Sequence, residues 1–324
     1  MVIFMEVSEY PLVSVICTGF NHEDYIEQAL NSVLAQNYPK LEFILVDNGS
    51  TDKTKEIMEK WSFENRSKIP VKIIFRLDPL PYCVSFNDAF RLSKGKYFID
   101  FSGDDAMLPD HIRNSVSTLA NNPEAVICFS DAYLKKPGAQ LKTFYQRDRK
   151  GELQDPVIQG NVYEKIVSKH IILSVTMVVR SDSFKSIGMY DESLSYEDFD
   201  IMVRLARDHP FVYSDHIGVV KNIHSRSLSA GQYRAKNSIL LPSTLKVCHK
   251  IKEMNRSKDE DNALKDRVMY ELKHALFSAN FEVAEGFLDL AKVLGASGLR
   301  FWLFNFWGRR KWDMSNLYTK LKRE

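Results

Sequence analysis

The sequence predicts an α/β protein: a mostly parallel sheet flanked by helices, followed by a helical C-terminal region. Two observations predict it. Short apolar runs alternate with amphipathic stretches through the first half, and after about residue 235 the pattern turns mostly helical, without obvious strands. Strands separated by helices at this spacing pair in parallel through right-handed crossovers.

Each element has its own signal. "LVSVICT" (12–18), rich in β-branched residues, reads as a buried strand. A helix follows, with Ile26, Ala29, Leu30, Val33 and Leu34 at helical spacing and Pro39 past its end. "EFILVDNGS" is a second strand that stops in a turn cluster, and "STDKTKEIMEKW" a helix opened by Ser50 or Thr51 as cap. "VKIIFRL" is the third strand, and "VSFNDAFRLSKG" a helix with Gly95 as its C′ residue. "KYFIDF" is the fourth strand, with Pro109 in the first turn of the next helix, and "EAVICFSDAYL" the fifth. The stretch from about 135 to 190 gives little beyond one apolar run at 171–179. "SYEDFDIMVRLARDHP" has Phe199, Met202, Val203 and Leu205 at roughly helical spacing, which puts Glu197 and Asp198 at a helix start.

In such sheets ligands bind beyond the carboxyl ends of the strands. Thr18, the cluster Asp47-Asn48-Gly49-Ser50, and Asp104-Asp105 all stand at predicted carboxyl ends, so three segments point polar groups at one rim. Of these, Asp104-Asp105 asks most of its surroundings. One aspartate ahead of Pro109 and Asp110 would serve as a helix cap. Two adjacent carboxylates repel unless a cation sits beside them. Their place at the rim points to Mg2+ or Mn2+, with phosphate oxygens and water completing the shell. Asp47 closes a buried strand, where an acid needs a donor: a backbone amide or a nucleobase imide N–H would each serve. Asn48-Gly49 supplies the turn there. Glu197 and Asp198 fit two readings, favourable charge at a helix N-terminus or a general base acting on a hydroxyl. His224, in "NIHSRSLS", is either a structural histidine or a ligand to an anion or metal. No GxGxxG, GxxxxGK[ST] or GxSxG occurs.

Composition narrows the class. A chain of 324 residues, 44% hydrophobic and 27% charged, is of ordinary soluble type, and a net charge of +2 gives no reason to expect nucleic acid. The charge is uneven: residues 296–324 carry seven Lys or Arg against two acids, leaving −3 on the rest. The four cysteines (Cys17, Cys83, Cys128, Cys248) have no metal-finger spacing. The amino terminus lacks a basic n-region and carries Glu6 and Glu9, which argues against a signal peptide, and no apolar run is long enough to span a bilayer. A cytoplasmic chain with reduced thiols is expected.

Taken together, "VSVICTGFNHEDYIEQALNSVLAQNYPKLEFILVDNGSTDKT", "NDAFRLSKGKYFIDFSGDDAMLPD" and "SVTMVVRSDSFKSIGMYDESLSYEDFDIMVRLA" closely resemble family-two inverting glycosyltransferases with the GT-A fold, of the bacterial cell-surface polysaccharide type. The resemblance runs from about residue 11 to 230, in order and spacing. It implies a catalytic domain over 1–232 and a helical region over 233–324. It also implies transfer of one hexosyl or N-acetylhexosaminyl group from a nucleotide-diphosphate donor, a UDP-sugar by preference, to a hydroxyl of a saccharide or lipid-linked saccharide. By the same resemblance Thr18, Phe20, Asn21, Asp47 and Asn48 would hold the nucleotide, and Asp104 would lie near ribose or metal. Asp105 would ligate the metal, Asp198 would act as general base with Glu197 beside it, and His224 would face the diphosphate or metal. The chain departs from the pattern at Ser102, where relatives often carry an acid, and at Asn222, where an arginine is frequent. The QxxRW signature of processive synthases is absent.

The tail "ASGLRFWLFNFWGRRKWDMSNLYTKLKRE" holds three of the four tryptophans beside Arg and Lys. It reads either as an aromatic face packed on the domain or as a peripheral contact with the inner face of the plasma membrane. Two rival classes remain open: a nucleotidyltransferase, although "CTGFNHEDY" lacks the Gly-rich basic loop, and a non-catalytic relative that binds nucleotide sugars.

Overall fold

The computed structural model describes residues 10–321; Glu6, Glu9 and the last three residues of the basic tail lie outside them. In chain order the first elements are β1 (Val13–Gly19), α1 (Ile26–Leu34), β2 (Leu41–Asp47), α2 (Thr54–Asn65), β3 (Val71–Phe75), α3 (Tyr82–Phe90) and β4 (Tyr97–Ser102). Then come β5 (Ala106–Met107), α4 (His111–Ala120), β6 (Ile127–Lys135), β7 (Lys142–Thr143), α5 (Tyr163–Ser168), β8 (Val178–Arg180), α6 (Ser181–Ser186), α7 (Asp198–Ala206) and β9 (Phe211–Asn222). Five helices close the chain: α8 (Leu241–Met254), α9 (Lys258–Phe277), α10 (Phe281–Val293), α11 (Gly298–Arg310) and α12 (Ser315–Leu321).

The chain divides into two units. The first comprises residues up to Val162 with Ile172–Glu192 and Arg204–Ile223; the second comprises Tyr163–Ile171, Ser193–Val203 and everything from His224. Among the described residues the first unit holds all the strands, in one sheet ordered β3-β2-β1-β4-β8-β6-β9-β5 with β7 on β6. β1 is buried along its whole length because it has a parallel neighbour on each side, β2 and β4. That is why its sequence is nearly all apolar rather than alternating. α1 packs into the same core with Ile26, Ala29, Leu30 and Val33 of the predicted stripe buried and Leu34 partly buried. The sheet is mixed beyond β4. β8 runs antiparallel to both β4 and β6, β5 runs antiparallel to β9, and β6 returns to parallel pairing with β9.

Several local expectations need correction. α2 is not opened by Ser50 or Thr51: Lys53 holds the cap position without a side-chain bond, and Asp52 accepts the Thr54 N–H instead at 2.9 Å. α3 ends at Phe90, so Gly95 is not its C′ residue. Gly95 is glycine because a Cβ there would lie 2.5 Å from Ser14 Oγ, which its own N–H binds at 2.9 Å. α4 begins at His111 with Asp110 at the cap, which leaves Pro109 just ahead of the helix. The apolar run at 171–179, which had no assignment from sequence, is irregular at first. It forms a 3-10 turn at Ser174–Thr176 before β8.

The second unit is helical. Ser257 opens α9 by accepting the Glu260 N–H at 3.2 Å, while Glu260 reaches back to the Arg256 N–H, a reciprocal cap. Glu271 is buried but takes bonds from Tyr233 (3.0 Å) and Arg267 (3.3 Å). Among the described residues no helix is long and apolar enough to cross a membrane.

One histidine pair in the first unit, His111 buried and His216 half-buried, predicts acid sensitivity. His111 Nδ1 and His216 Nε2 lie 3.2 Å apart, and a Cβ on Gly218 would come within 2.1 Å of His111. Burial first, then the neighbouring ring, pushes His111 down to about 3; burial pushes His216 down to about 4. Both stay neutral in the fold, whereas unfolded histidines take protons below their ordinary 6.5. Their stabilising contribution is complete above that value and is lost as pH falls toward 4. At pH 5, His111 alone accounts for about 2 kcal/mol. Melting temperatures at pH 7 and pH 5 should show a smaller acid drop for His111→Asn than for the parent; an unchanged drop refutes it.

Candidate active site

The rim is built by strand register. Thr18 in β1 faces Val46 and Ser102, and Gly19 faces Asp47, so the ends of β1, β2 and β4 stop level with one another. Asp47 is fully buried. Its Oδ2 accepts the Ser50 N–H at 3.2 Å, and its Oδ1 has no partner in the protein. Thr18 Oγ1, one strand over, is likewise buried without a partner. Leaving a buried polar atom unpaired costs about 1–3 kcal/mol, so each of the two marks a point on the rim where something else can bind. Asp131 shows the contrast. It is as deeply buried, yet its Oδ1 takes three backbone N–H groups and its Oδ2 the Arg147 guanidinium at 2.7 Å. That acid is structural.

The loops after β1 and β2 are tied to each other. Asn21 adopts a left-handed φ of 56°, its N–H donates to Ser50 Oγ at 3.0 Å, and its Oδ1 accepts the Thr51 N–H at 2.9 Å. His22 N–H donates to Thr54 Oγ1 at 2.7 Å. Gly49, at φ 79°, makes the predicted turn; a Cβ there would meet Pro79 N at 2.6 Å. Asn48 uses both ends of its amide on Leu80, donating to the carbonyl at 2.9 Å and accepting from the N–H at 3.2 Å. The side chains of Asn21 and Asn48 are thus engaged within the protein, whereas Phe20 is exposed at the rim and Thr18 and Asp47 keep acceptors open.

Asp104 and Asp105 follow β4 directly. Neither caps a helix, since Asp110 holds the α4 cap position. Ser102 Oγ donates to Asp104 Oδ1, and His22 Nε2 lies 4.0 Å from Asp104 Oδ2. Ser102, where relatives often carry an acid, therefore serves the pair as a donor. Asp105 is almost completely buried: Oδ1 accepts the Asn222 N–H at 2.8 Å, and Oδ2 lies 3.8 Å from Lys221 Nζ. Asn222 also donates from its side chain to the Asp104 carbonyl at 2.6 Å. Burial raises the Asp105 carboxyl to about 7; Asp104 adds to the rise, and Lys221 and the Asn222 N–H oppose it. A carboxyl in that state gains from a cation. Among the described residues no three His, Cys, Asp or Glu side chains group closely enough to hold a metal by themselves. The donors present, one or two carboxylates with room for outside oxygens, suit Mg2+ or Mn2+ completed by phosphate and water.

The remaining candidates belong to the second unit. Asp198 opens α7 and is half-buried; Glu197 precedes it and its carbonyl accepts the Ile201 N–H at 3.0 Å. Asp200, not singled out from sequence, is buried and ion-paired with Lys250 at 2.7 Å. His224, half-buried, lies just beyond β9, and its carbonyl accepts the Ser227 N–H at 3.2 Å. Sequence reading missed Lys221 and gave Asn222 only as a departure. Their partner is 117 positions away for Asn222, and no spacing rule links such residues.

The glycosyl transferase family 2 profile matches residues 14–172, the stretch that contains the whole rim from Thr18 to Asp105. Residues 14–172 belong to glycosyl transferase family 2. An uncharacterized glycosyltransferase of Rickettsia typhi is 29% identical over 216 residues, 65% of this chain and 64% of the relative. One from Haemophilus influenzae is 29% identical over 61% of each chain. The chain thus spans less than two thirds of the length of these family relatives. Among solved structures, S. aureus TarS residues 1–349 in complex with UDP-GlcNAc superposes with a TM-score of 0.61 over 87% of this chain and 90% of that one, at 15% identity. The mannosyltransferase PcManGT of Pyrobaculum calidifontis, in complex with GDP-Man and Mn2+, gives 0.59 over 97% and 84%, at 17% identity. The GT-A fold expected from the family resemblance is the fold observed.

Proposed function

We propose that this family 2 protein transfers one sugar, with inversion, from a nucleotide-diphosphate donor to a hydroxyl of a saccharide or lipid-linked saccharide acceptor, and that a divalent cation assists. The observation that carries the reading is the pair of buried, unpartnered acceptors, Thr18 Oγ1 and Asp47 Oδ1, on the same strand-end rim as Asp104-Asp105. Donors of this kind appear in the TarS and PcManGT complexes, which support a nucleotide sugar here. A Bacillus subtilis relative named as a putative teichuronic acid biosynthesis glycosyltransferase, 28% identical over 134 residues, supports a cell-envelope saccharide as acceptor. Catalysis is assigned to residues 1–232, and 233–324 to an accessory helical region.

The chemistry follows from the residues. Asp47 Oδ1 accepts a base imide N–H, which favours uracil, and Thr18 stands on the same rim; Asn21 and Asn48 hold the two loops in shape around Phe20. Asp104 lies toward ribose or metal. Asp105 would hold Mg2+ or Mn2+, which would offset the charge gathered by the departing diphosphate; His224 is proposed on its own as a residue that faces diphosphate or metal. Asp198 takes the proton of the attacking hydroxyl, and Glu197 adds negative charge beside it. Attack opposite the leaving group inverts the anomeric configuration.

Thermal stability with a panel of nucleoside diphosphates, each with and without Mn2+, tests this, because a ligand that binds only the folded state raises the melting temperature. The expected outcome is a metal-dependent shift for UDP. A charge-assisted hydrogen bond is worth about 1.5–3 kcal/mol, so Asp47→Asn should weaken UDP roughly ten- to hundredfold. No shift with any nucleotide would overturn the reading.

A further inference from the structure

The transfer chemistry leaves one surface unused, on α11 and the segment after it. Leu299, Trp302 and Leu303 fall at i, i+3 and i+4 on α11, and all three are exposed, Leu299 at 72% and Trp302 at 58%. The chain then turns at Lys311, φ 50°, and presents Trp312, Met314 and Leu317, also exposed. The two parts are joined: Phe306 stacks on Trp302 at 5.6 Å and receives Trp312 edge-on at 5.4 Å. This exposure does not come from a loose helix. Trp307 meets Phe277 edge-on at 4.8 Å, and Gly308 lies so close to α10 that a Cβ would approach Leu288 to 2.7 Å. α11 is anchored through one face and turns an apolar face outward.

The surrounding charge selects what would cover that face. α11 contains no acid; Arg300, Arg309, Arg310 and Lys311 border the stripe, and Lys320 follows. Asp313, the one acid between 298 and 321, is paired with Lys236 at 2.7 Å. A second copy meeting this face about a two-fold axis would set arginine against arginine. Contiguous apolar surface rimmed by cations suits an anionic bilayer, where tryptophan and leucine enter at headgroup level and long basic side chains reach the phosphates. We propose that Leu299, Trp302, Leu303 and Trp312, with Arg300, Arg309, Arg310 and Lys311, form an interfacial docking surface for an anionic lipid membrane. The chain lies on the bilayer by this face and does not cross it.

The test needs no nucleotide, so its result is independent of the transferase reading. The full chain is sedimented with phosphatidylcholine vesicles, with and without phosphatidylglycerol, at low and high salt. Binding is expected only with phosphatidylglycerol, weakened by salt, and with a blue shift of tryptophan emission. Each basic residue near an anionic surface contributes about 1 kcal/mol, so the double variant Arg309→Gln, Arg310→Gln should bind roughly thirtyfold more weakly. Trp302→Ala should bind at least tenfold more weakly with its melting temperature unchanged. Vesicle binding that ignores lipid charge and both variants would overturn the proposal. So would no vesicle binding, or burial of the face in a dimer or acidic protein complex that Trp302→Ala dissolves.

Discussion

Asp105→Asn is expected to melt at a higher temperature than the parent protein above pH 7 in the absence of metal, and to lose metal-dependent stabilisation by nucleoside diphosphate altogether. The two effects have one cause. The Asp105 carboxyl is buried, and burial, reinforced by Asp104, raises it from the ordinary 3.8 to about 7. An unfolded chain releases that proton near 4, whereas the folded chain keeps it to about 7. Stability therefore falls as pH rises through this window and stays low above it, by on the order of 4 kcal/mol. Lys221, 3.8 Å away, offsets part of the charge but does not cancel it. Asparagine has the same shape, keeps an acceptor for the Asn222 N–H, and carries no charge to bury. It also offers no carboxylate to a cation. This pH dependence is opposite in sign to that of His111 over the same range, so each variant is compared with the parent and not read from the parent's profile alone. An Asp105→Asn protein that melts at or below the parent at pH 8, or that keeps its Mn2+-dependent nucleotide shift, would contradict the assignment.

The half of the sheet legible in the sequence is the half built by strand–helix alternation. β1 to β4 pair only in parallel with one another, each is followed by a helix or a turn with its own residues, and their carboxyl ends are marked by Thr18, Asp47 and Asp104-Asp105. Those residues share a rim because the register sets Thr18 opposite Ser102 and Gly19 opposite Asp47, so these strands stop level. The other half carries weaker local signals. β8 is three residues long, and β9, with its polar Ser214, Asp215 and His216, passes for a loop until its pairing with β6 is known. β9 supplies Lys221 and Asn222, so the support of the Asp104-Asp105 pair was hidden with it. Gly95 was misread for a related reason: close approach to Ser14, 81 positions away, imitates a helix terminator in sequence. Around α7 the sequence offers three acids, Glu197, Asp198 and Asp200, without saying which is structural. Burial and the Lys250 pair separate Asp200 from the other two.

That separation gives the second large effect. Asp198→Asn is expected to lower transfer by about two to four orders of magnitude, the loss that follows removal of a positioned general base, while nucleotide binding and melting temperature stay close to the parent values. Asp200→Asn should do the reverse. Its carboxylate is 1% exposed and holds Lys250 at 2.7 Å, so neutralising it removes one side of a largely buried ion pair. Breaking such a pair from one side costs about 3 kcal/mol, and what folded protein remains should transfer sugar normally. The two positions lie two residues apart on one helix start, carry the same functional group and receive the same substitution. General disturbance of α7 would make the variants alike, with stability and activity falling together. Activity lost at 198 with stability intact, against stability lost at 200 with specific activity intact, can arise only if the two carboxylates do different work. If Asp198→Asn retains transfer within tenfold of the parent, the general base must be sought elsewhere, with Glu197 the first to examine.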